Sequence, residues 1–406
     1  MDKHQKIINV AKFYSARYGY DLIDTPLFEY TQVFKRTLGE TSDVVGKEMY
    51  TFTDRGGEEV TLRPEGTAGV IRAVISNGLT QSMPLKLAYY GPMLRYERPQ
   101  LGRRRQFHQF GVEFLGVMHP LVDVETIALG VDILQSLGVM DHIQLEINTL
   151  GDTESRQAYR QALIDYFTPI KDQLSLDSQQ RLHRNPLRIL DSKDDQDKKF
   201  VANAPQFQEF LTIESRHHFN EVCMGLDAQG IRYIHNSRLV RGLDYYNHTA
   251  FEFVTTSLGA QGTVLGGGRY NGLMSQMGGP ETPGIGWALG IERLGLLLGN
   301  IQPDHFPVSM IPIGEGDIVT AAFNLVMMLR RRGILVDFLF SGNVGKRLKR
   351  ANKVNAVAAL LLGEDELAAQ HITVKDLATG SQKNVALEQI GDYLKITYPQ
   401  TYLSNM

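Results

Sequence analysis

The chain has 406 residues, 43% of them hydrophobic, and a formal net charge of −3. That length exceeds one small core and predicts two or three domains, while the near balance of charge excludes a globally basic nucleic-acid binder and leaves any such contact to local patches. The single cysteine, Cys223, excludes a disulfide framework and a multi-cysteine zinc site; with no bilayer-length apolar run and no signal-peptide core in MDKHQKIINV, a cytosolic, soluble, globular protein is expected.

Residues 3–18 place Ile7, Ala11, Tyr14 and Tyr18 at helix spacing. Asp21 to Thr25 reads as a short strand stopped before Pro26, and Leu27 to Gly39 as a second helix. EMYTFTD and EEVTLRP predict two strands about a DRGG turn, with a helix after Thr67. In TLRPEGT, Pro64 and Gly66 fix the entry to that helix, whose first amides are expected to lie free for an anion. Glu65 serves either at such a site or as a helix-start carboxylate favoured by the dipole. The motif alone leaves both open.

Tyr90 to Gly116, YGPMLRYERPQLGRRRQFHQFGVEFLG, is the most informative stretch. Alternation on both sides of a Pro/Gly-containing connection predicts an antiparallel hairpin. Its loop, Arg98 to Arg105, is dense in arginine, as a polyanion handle is. Arg95, Glu97, Gln109 and Glu113 are expected inside the strands, with Arg95 and Glu97 on one face and Phe107, Gln109 and Glu113 on another. A face with both charge signs is costly to bury unless a ligand satisfies it.

Val122 to Leu137 predicts an amphipathic helix and Ile143 to Asn148 a strand. About 152–225 the composition turns polar, with apolar residues at helix spacing, and a mostly helical insertion is expected, NPLRILDSK within it being extended or turn-like. Strands resume in IRYIHN and RLVRGLDYYNHTAFEFVT. There Arg241, Asp244, Tyr245 and Tyr246 cluster about Gly242; alternation sends the two tyrosines to opposite faces, and packing leaves Arg241 unexplained. The run Gly262 to Tyr270 brings backbone close to something, but without a Walker lysine or a strand-to-helix GxGxxG it is neither a P-loop nor a dinucleotide site. GIGWALGIERL is a glycine-spaced strand feeding a helix, and Arg293 at the start of that apolar helix wants an anion.

A joint with Gln302, Pro303 and Pro307 precedes an alternating strand–helix pattern of about 100 residues, an α/β domain. Lys346, Arg350 and Lys353 share one helix face, which is either a solvated surface or a nucleic-acid contact.

Taken together, TLRPEGT, RYERPQLGRRRQFHQFGVE, RLVRGLDYY, GGGRY and GIGWALGIERL resemble, in order and spacing over nearly the whole chain, a class II aminoacyl-tRNA synthetase of the histidyl-tRNA synthetase family. The resemblance implies an α+β fold. Residues 1–300 would form a catalytic domain on an antiparallel sheet of roughly six or seven strands with flanking helices, carrying the helical insertion, and residues 301–406 a C-terminal α/β anticodon-binding domain. It implies ATP and Mg²⁺, with the ion bridging the phosphates, and as partners L-histidine, tRNA(His) and a second copy in a homodimer formed through Asp24 to Gly39. Arg95 would hold the ATP α-phosphate, Glu97 face the adenine amine, Phe107 stack on adenine, and Arg103 and Arg293 clamp the outer phosphates. Glu65 and Gln109 would bind the α-ammonium; Glu113, Tyr246 and Tyr270 would surround the imidazole, with Thr67 and Tyr245 in the same pocket. Arg241 would act at the α-phosphate beside Arg95, Arg98 and Gln100 would approach the tRNA acceptor end, and Lys346 and Arg350 the anticodon. No residue is implied as a metal ligand.

Three departures stand out: a short Arg-Gly stretch ahead of the first helix is absent, which would weaken the dimer or the site's edge; Trp287 replaces phenylalanine; and Asn271 replaces aspartate. A rival with the same catalytic fold is the regulatory subunit of ATP phosphoribosyltransferase, which lacks the RLVRGLDYY features and the anticodon domain.

Overall fold

The computed structural model describes residues 2–38, 44–190, 192–243, 245–299 and 305–403. The chain divides into two compact units, Met1–Asn300 and Ile301–Met406.

In the first unit α1 (Asp2–Arg17) buries Ile7 and Ala11 and ends at Gly19, whose φ of +79° no β-carbon favours. Next come β1 (Asp21–Leu22), β2 (Phe28–Tyr30) and α2 (Thr31–Leu38). The expected helix over 27–39 therefore opens as a three-residue strand, in which Phe28, Glu29 and Tyr30 pair with Leu62, Thr61 and Val60, and Gly39 lies outside the described residues. So short an apolar run fits either period, and the pairing partner decides. β3 (Tyr50–Thr53) and β4 (Glu59–Leu62) form the expected hairpin, its turn held by Asp54 Oδ1, which accepts from the Gly56 and Glu58 amides at 2.8 and 3.0 Å. β2, β4 and β3 make a small side sheet, and α3 (Thr67–Ser76) follows.

β5 (Leu85–Leu94) and β6 (Gln106–Leu115) are the arginine hairpin, in register from Leu85 opposite Leu115 to Leu94 opposite Gln106. α4 (Pro120–Ser136) and β7 (Gln144–Thr149) lead into four helices, α5 (Thr153–Phe167), α6 (Leu176–Arg184), α7 (Asp195–Val201) and α8 (Ile213–Ala228). The first three enclose a core of their own around Tyr159, Leu163, Phe167, Leu182 and Phe207, while α8 packs against α4. Pro186–Ile189, expected to be extended or turn-like, is a short 3₁₀ turn; Asp191 lies outside the described residues. The chain returns through β8 (Ile234–His235), β9 (Asn247–Val254), β10 (Thr263–Arg269), α9 (Leu273–Gln276), β11 (Gly284–Gly290) and α10 (Ile291–Leu297).

The main sheet runs β1-β5-β6-β11-β10-β9-β7-β8. Its six central strands are antiparallel; the two-residue edge strands β1 and β8 add parallel pairings, so the count is eight rather than six or seven. α4 covers one face. There Trp287 is 2% exposed and its indole N–H donates to the Thr126 carbonyl at 2.8 Å, so the sheet accommodates indole where phenylalanine is expected. Asn271 is equally well placed: its backbone N–H donates to Asn247 and its Oδ1 accepts from the Gly284 N–H. Beneath α4, Arg269 and Asp123 form a fully buried pair with Nε to Oδ2 at 2.9 Å, and Arg269 also donates to the Val117 and His119 carbonyls.

The second unit comprises β12 (Val308–Pro312), α11 (Asp317–Arg331), β13 (Val336–Phe338), α12 (Val344–Lys353), β14 (Ala358–Leu362), α13 (Glu364–Ala368), β15 (His371–Asp376), β16 (Gln382–Ala386) and α14 (Ile390–Thr397). The order β13-β12-β14-β15-β16 is parallel on one side and antiparallel on the other, over a core of Val308, Met310, Leu329, Leu360 and Leu394. Gln302 and Pro303 of the expected joint lie outside the described residues. Among the described residues no helix is long and apolar enough to cross a membrane.

Breaking a buried pair strands a charge. Asp123→Ala is expected to cost roughly 3–5 kcal/mol of stability by leaving Arg269 uncompensated; a chemical-denaturation loss under about 1 kcal/mol would show that the carbonyls alone suffice.

Candidate active site

A cleft opens over β6, β10 and β11, lined among others by Glu65, Thr67, Arg95, Glu97, Arg103, Phe107, Gln109, Arg241, Tyr245, Tyr246 and Arg293. Eleven expected site residues therefore converge from four separate stretches. Glu113 and Tyr270 sit behind this lining, 1% and 2% exposed, linked to it through Thr67. Arg98 and Gln100 are exposed and outside the lining, and Asp244 lies outside the described residues.

Arg95 and Glu97 were expected within a strand but follow its end at Leu94. One further ladder bond runs from the Arg95 N–H to Arg105 O, and then the Tyr96 N–H turns away to Glu48 O at 2.7 Å, which peels the chain off the sheet. The Arg95 Nε donates to Pro64 O at 2.8 Å, and its guanidinium lies 5.4 Å from the Phe107 ring centroid. Glu97 pairs with Arg103 at 3.0 Å. Arg293, on the first turn of α10, donates to Gly102 O and Thr263 O at 3.2 and 2.8 Å. Burial foremost, and the neighbouring Arg103, lower its pKa.

The first amides of α3 are not free for a ligand. Glu65 takes them itself: its carboxylate accepts from the Thr67 and Ala68 N–H groups at 2.7 and 2.9 Å, so the helix-start reading is realised within the cleft lining. Burial raises its pKa against those two bonds and Arg95. Nearby, Gln109 Oε1 is buried with no partner among the described residues, an acceptor awaiting a donor.

Glu113 accepts from the Thr67 hydroxyl at 2.6 Å and from the Tyr270 hydroxyl. Burial pushes its carboxyl up to about 8 against those hydroxyls, with Glu65 adding to the rise. Gly286 opposite has no side chain because a β-carbon there would run into the Glu113 carboxylate. Tyr245 and Tyr246 do not go to opposite faces as alternation predicts. β9 begins only at Asn247, so both rings are buried together with centroids 4.6 Å apart, and Tyr245 meets Tyr270 edge-on at 5.7 Å.

Arg241 pairs with Glu252, which also accepts from the Thr263 hydroxyl at 2.7 Å. Gly266 makes room for the guanidinium: an added β-carbon would lie 2.8 Å from its Nη2. Glu252 went unnoticed in the sequence, although a lone charge in the apolar run AFEFV marks it. Tyr89 also went unnoticed; it lines the cleft in a slot where a β-carbon at Gly66 or Gly111 would strike its ring.

In the second unit Lys346 is exposed on α12, but Arg350 is spoken for by Asp337 at 3.0 Å, so the basic face is less free than its spacing implies.

The antiparallel sheet with an arginine hairpin and a glycine-spaced strand feeding an arginine-bearing helix is the architecture of the class II aminoacyl-tRNA synthetases. A family model described as "Histidyl-tRNA synthetase" matches residues 4–294, and one described as "Anticodon binding domain" matches 307–396. A histidine–tRNA ligase of Gluconacetobacter diazotrophicus is 55% identical over 392 residues, 97% of this chain and 94% of its own length. The crystal structure of apo S. aureus histidyl-tRNA synthetase matches with TM-score 0.81 at 36% identity, covering 96% of this chain and 95% of that one. An ATP phosphoribosyltransferase regulatory subunit/histidyl-tRNA synthetase from Bacillus halodurans C matches with TM-score 0.64 at 21% identity over 89% and 94% of the two chains, a likeness of fold alone. The chain belongs to the histidyl-tRNA synthetase family.

Glu113 makes the ligand-free fold pH-dependent. Between its ordinary 4.5 and about 8 the unfolded chain has released a proton that the folded chain keeps, so folding loses stability as pH rises through that window. Glu113→Gln should remove this slope, and melting of both proteins from about pH 5 to 8 checks it. A stability difference flat across the window would show that Glu113 is ionised throughout.

Proposed function

We propose that this chain is a histidine–tRNA ligase: it activates L-histidine with ATP to histidyl-adenylate and transfers the histidyl group to the 3′ end of tRNA(His), releasing AMP and diphosphate. The observation that carries the reading is one cleft joining three guanidinium groups, Arg95, Arg241 and Arg293, to a recess ending in Glu113 and Tyr270.

The histidine carboxylate attacks the α-phosphorus in line, so no protein nucleophile is required. The chain's work is positioning and stabilising charge on the pentavalent phosphorus, which falls to Arg95 and Arg241. Arginine suits this because its planar fork spans two phosphate oxygens. Arg103 and Arg293 take the outer phosphates, Phe107 stacks on adenine, and Glu97 accepts from its amine. Mg²⁺ would enter with ATP as the nucleotide's own counter-ion: the lining carboxylates Glu97 and Glu292 are already paired with Arg103 and His108, and Glu65 with the Thr67 and Ala68 amides. Glu65 and the orphaned Gln109 oxygen receive the α-ammonium. Glu113, Tyr270, Tyr246 and Thr67, with Tyr245 behind, receive the imidazole; a side chain lacking ring N–H groups would leave these partners unpaired.

Residues 1–300 serve as the catalytic domain and 301–406 as the anticodon-binding domain, with Lys346 and Arg350 toward the anticodon and Arg98 and Gln100 toward the acceptor end. Homodimerisation is supported by Leu27, Phe28, Tyr30 and Phe52, which stand 42–58% exposed on and beside the side sheet. A cytoplasmic setting follows from the role in translation. The regulatory-subunit alternative is disfavoured, because segment 238–246 builds the cleft wall and an anticodon-binding domain is matched.

Pure protein should catalyse histidine-dependent ATP–diphosphate exchange; no exchange would sink the proposal. Arg241→Ala should lower kcat for exchange by roughly 10²–10³-fold with the ATP KM little changed; equal losses in both would reduce Arg241 to ground-state ATP binding. Lys346→Ala with Arg350→Ala should raise the tRNA KM of aminoacylation and leave exchange alone. An unchanged tRNA KM would move the anticodon contact elsewhere.

A further inference from the structure

Residues 236–246 carry Arg241, Tyr245 and Tyr246 into the cleft, yet they belong to no helix or strand among the described residues. Their first part is pinned from the sheet: Asn148 Nδ2 of β7 donates to Ser237 O and Leu239 O at 3.3 and 3.0 Å. From Val240 onward the segment is a thin wall. Arg241, Leu243 and Tyr246 line the catalytic cleft and also a second, smaller pocket between the wall and the helical segment α5–α7. Packing restrains its middle weakly: a β-carbon added at Gly242 would meet nothing within 4 Å. The Tyr245 and Tyr246 rings anchor its far end in the core, and the backbone at Gly242 and Tyr246 is held in addition by hydrogen bonds from the helical segment. Arg188 Nη2, in the 3₁₀ turn after α6, donates to Gly242 O at 3.3 Å; Arg156 Nη1, in the first turn of α5, donates to Tyr246 O at 2.9 Å. One bond falls on the residue after Arg241 and the other on Tyr246 itself.

We propose that Arg156 and Arg188 are positioning residues for the activation step, tethering the Arg241–Tyr246 wall so that the Arg241 guanidinium and the tyrosines stand where substrate meets them. This rests on the proposed role of Arg241, and it makes the helical segment, which touches no proposed substrate atom, a control on adenylate formation. Displacing α5 or the turn after α6 displaces the wall.

The test pairs two readouts across Arg156→Ala, Arg188→Ala, Arg156→Lys and a control, Arg160→Ala. Arg160 makes the same kind of bond, Nη2 to His183 O at 2.6 Å, wholly inside the helical segment. Amide deuterium uptake over residues 238–246 should rise in both tether variants and stay at wild-type level in Arg160→Ala. Histidine-dependent exchange should lose roughly tenfold in kcat or histidine KM for each tether variant, the worth of one charge-assisted bond, with ATP KM within about twofold and partial recovery in Arg156→Lys. Deuterium uptake unchanged by the tether variants, or activity losses no larger than that of Arg160→Ala, overturns the proposal. Absence of exchange in the wild-type chain overturns the proposed function instead, and the uptake measurement still decides whether the tether exists.

Discussion

A carboxyl group buried behind the cleft governs how the first unit is built. Glu113 lies on a central strand of an eight-stranded sheet with almost no access to water. A buried carboxyl is tolerated only where hydrogen bonds replace its hydration. Thr67 and Tyr270 supply them from opposite sides, one from the start of α3 and one from the end of β10. Those two contacts therefore lock a helix and a strand to the hairpin. Space for them is made by omission: Gly286 clears the carboxylate, Gly284 clears the Tyr270 ring, and Gly66 and Gly111 clear Tyr89. The glycines scattered through TLRPEGT, QFGVE and GIGWALG serve this one pocket, which explains why motifs far apart in the chain share a dependence on small residues.

The cleft's charge is arranged on a different principle. Arg95 and Arg293 are held by backbone carbonyls of Pro64, Gly102 and Thr263 rather than by carboxylates. A carbonyl orients a guanidinium through a strong charge-assisted bond without cancelling its charge. Both arginines thus keep their full attraction for phosphate in a partly desolvated site, where that attraction exceeds its value in water. A net charge of −3 for the whole chain is no obstacle, because the positive potential is local and its counter-charges are placed elsewhere.

Much of this was legible in the sequence. Alternation in KLAYYGPML and QFHQFGVEFL marks the hairpin, although residues 110–115 are all buried because the middle of the sheet is covered on both faces. The motifs gave the cleft's membership, since eleven expected residues line it together. What escaped was set by hydrogen bonds between distant segments. The strand ends before Arg95 because Tyr96 finds Glu48 O, and the two tyrosines share a side because the wall before Asn247 pairs with no strand. Glu65 capped its own helix for a local reason that the motif left balanced against a ligand role. Arg350 has Asp337 from a neighbouring strand, a partner that helix periodicity alone cannot place.

Arg241 differs from Arg95 and Arg293 in both its partner and its support. It is paired with Glu252, at 16% and 18% side-chain exposure, so the pair is largely desolvated and the charge is neutralised in the ligand-free chain. In the proposed activation step, phosphate would compete with that carboxylate, which would cost binding in the ground state but keep the guanidinium in place before substrate arrives. An interaction strengthened only as charge accumulates on the phosphorus lowers the barrier rather than merely tightening ATP binding. Such a device works only if the backbone beneath it does not yield. The segment pairs with no strand among the described residues, so beyond its buried tyrosines the hydrogen bonds from Arg156 and Arg188 add the stiffness that the proposed role of Arg241 requires.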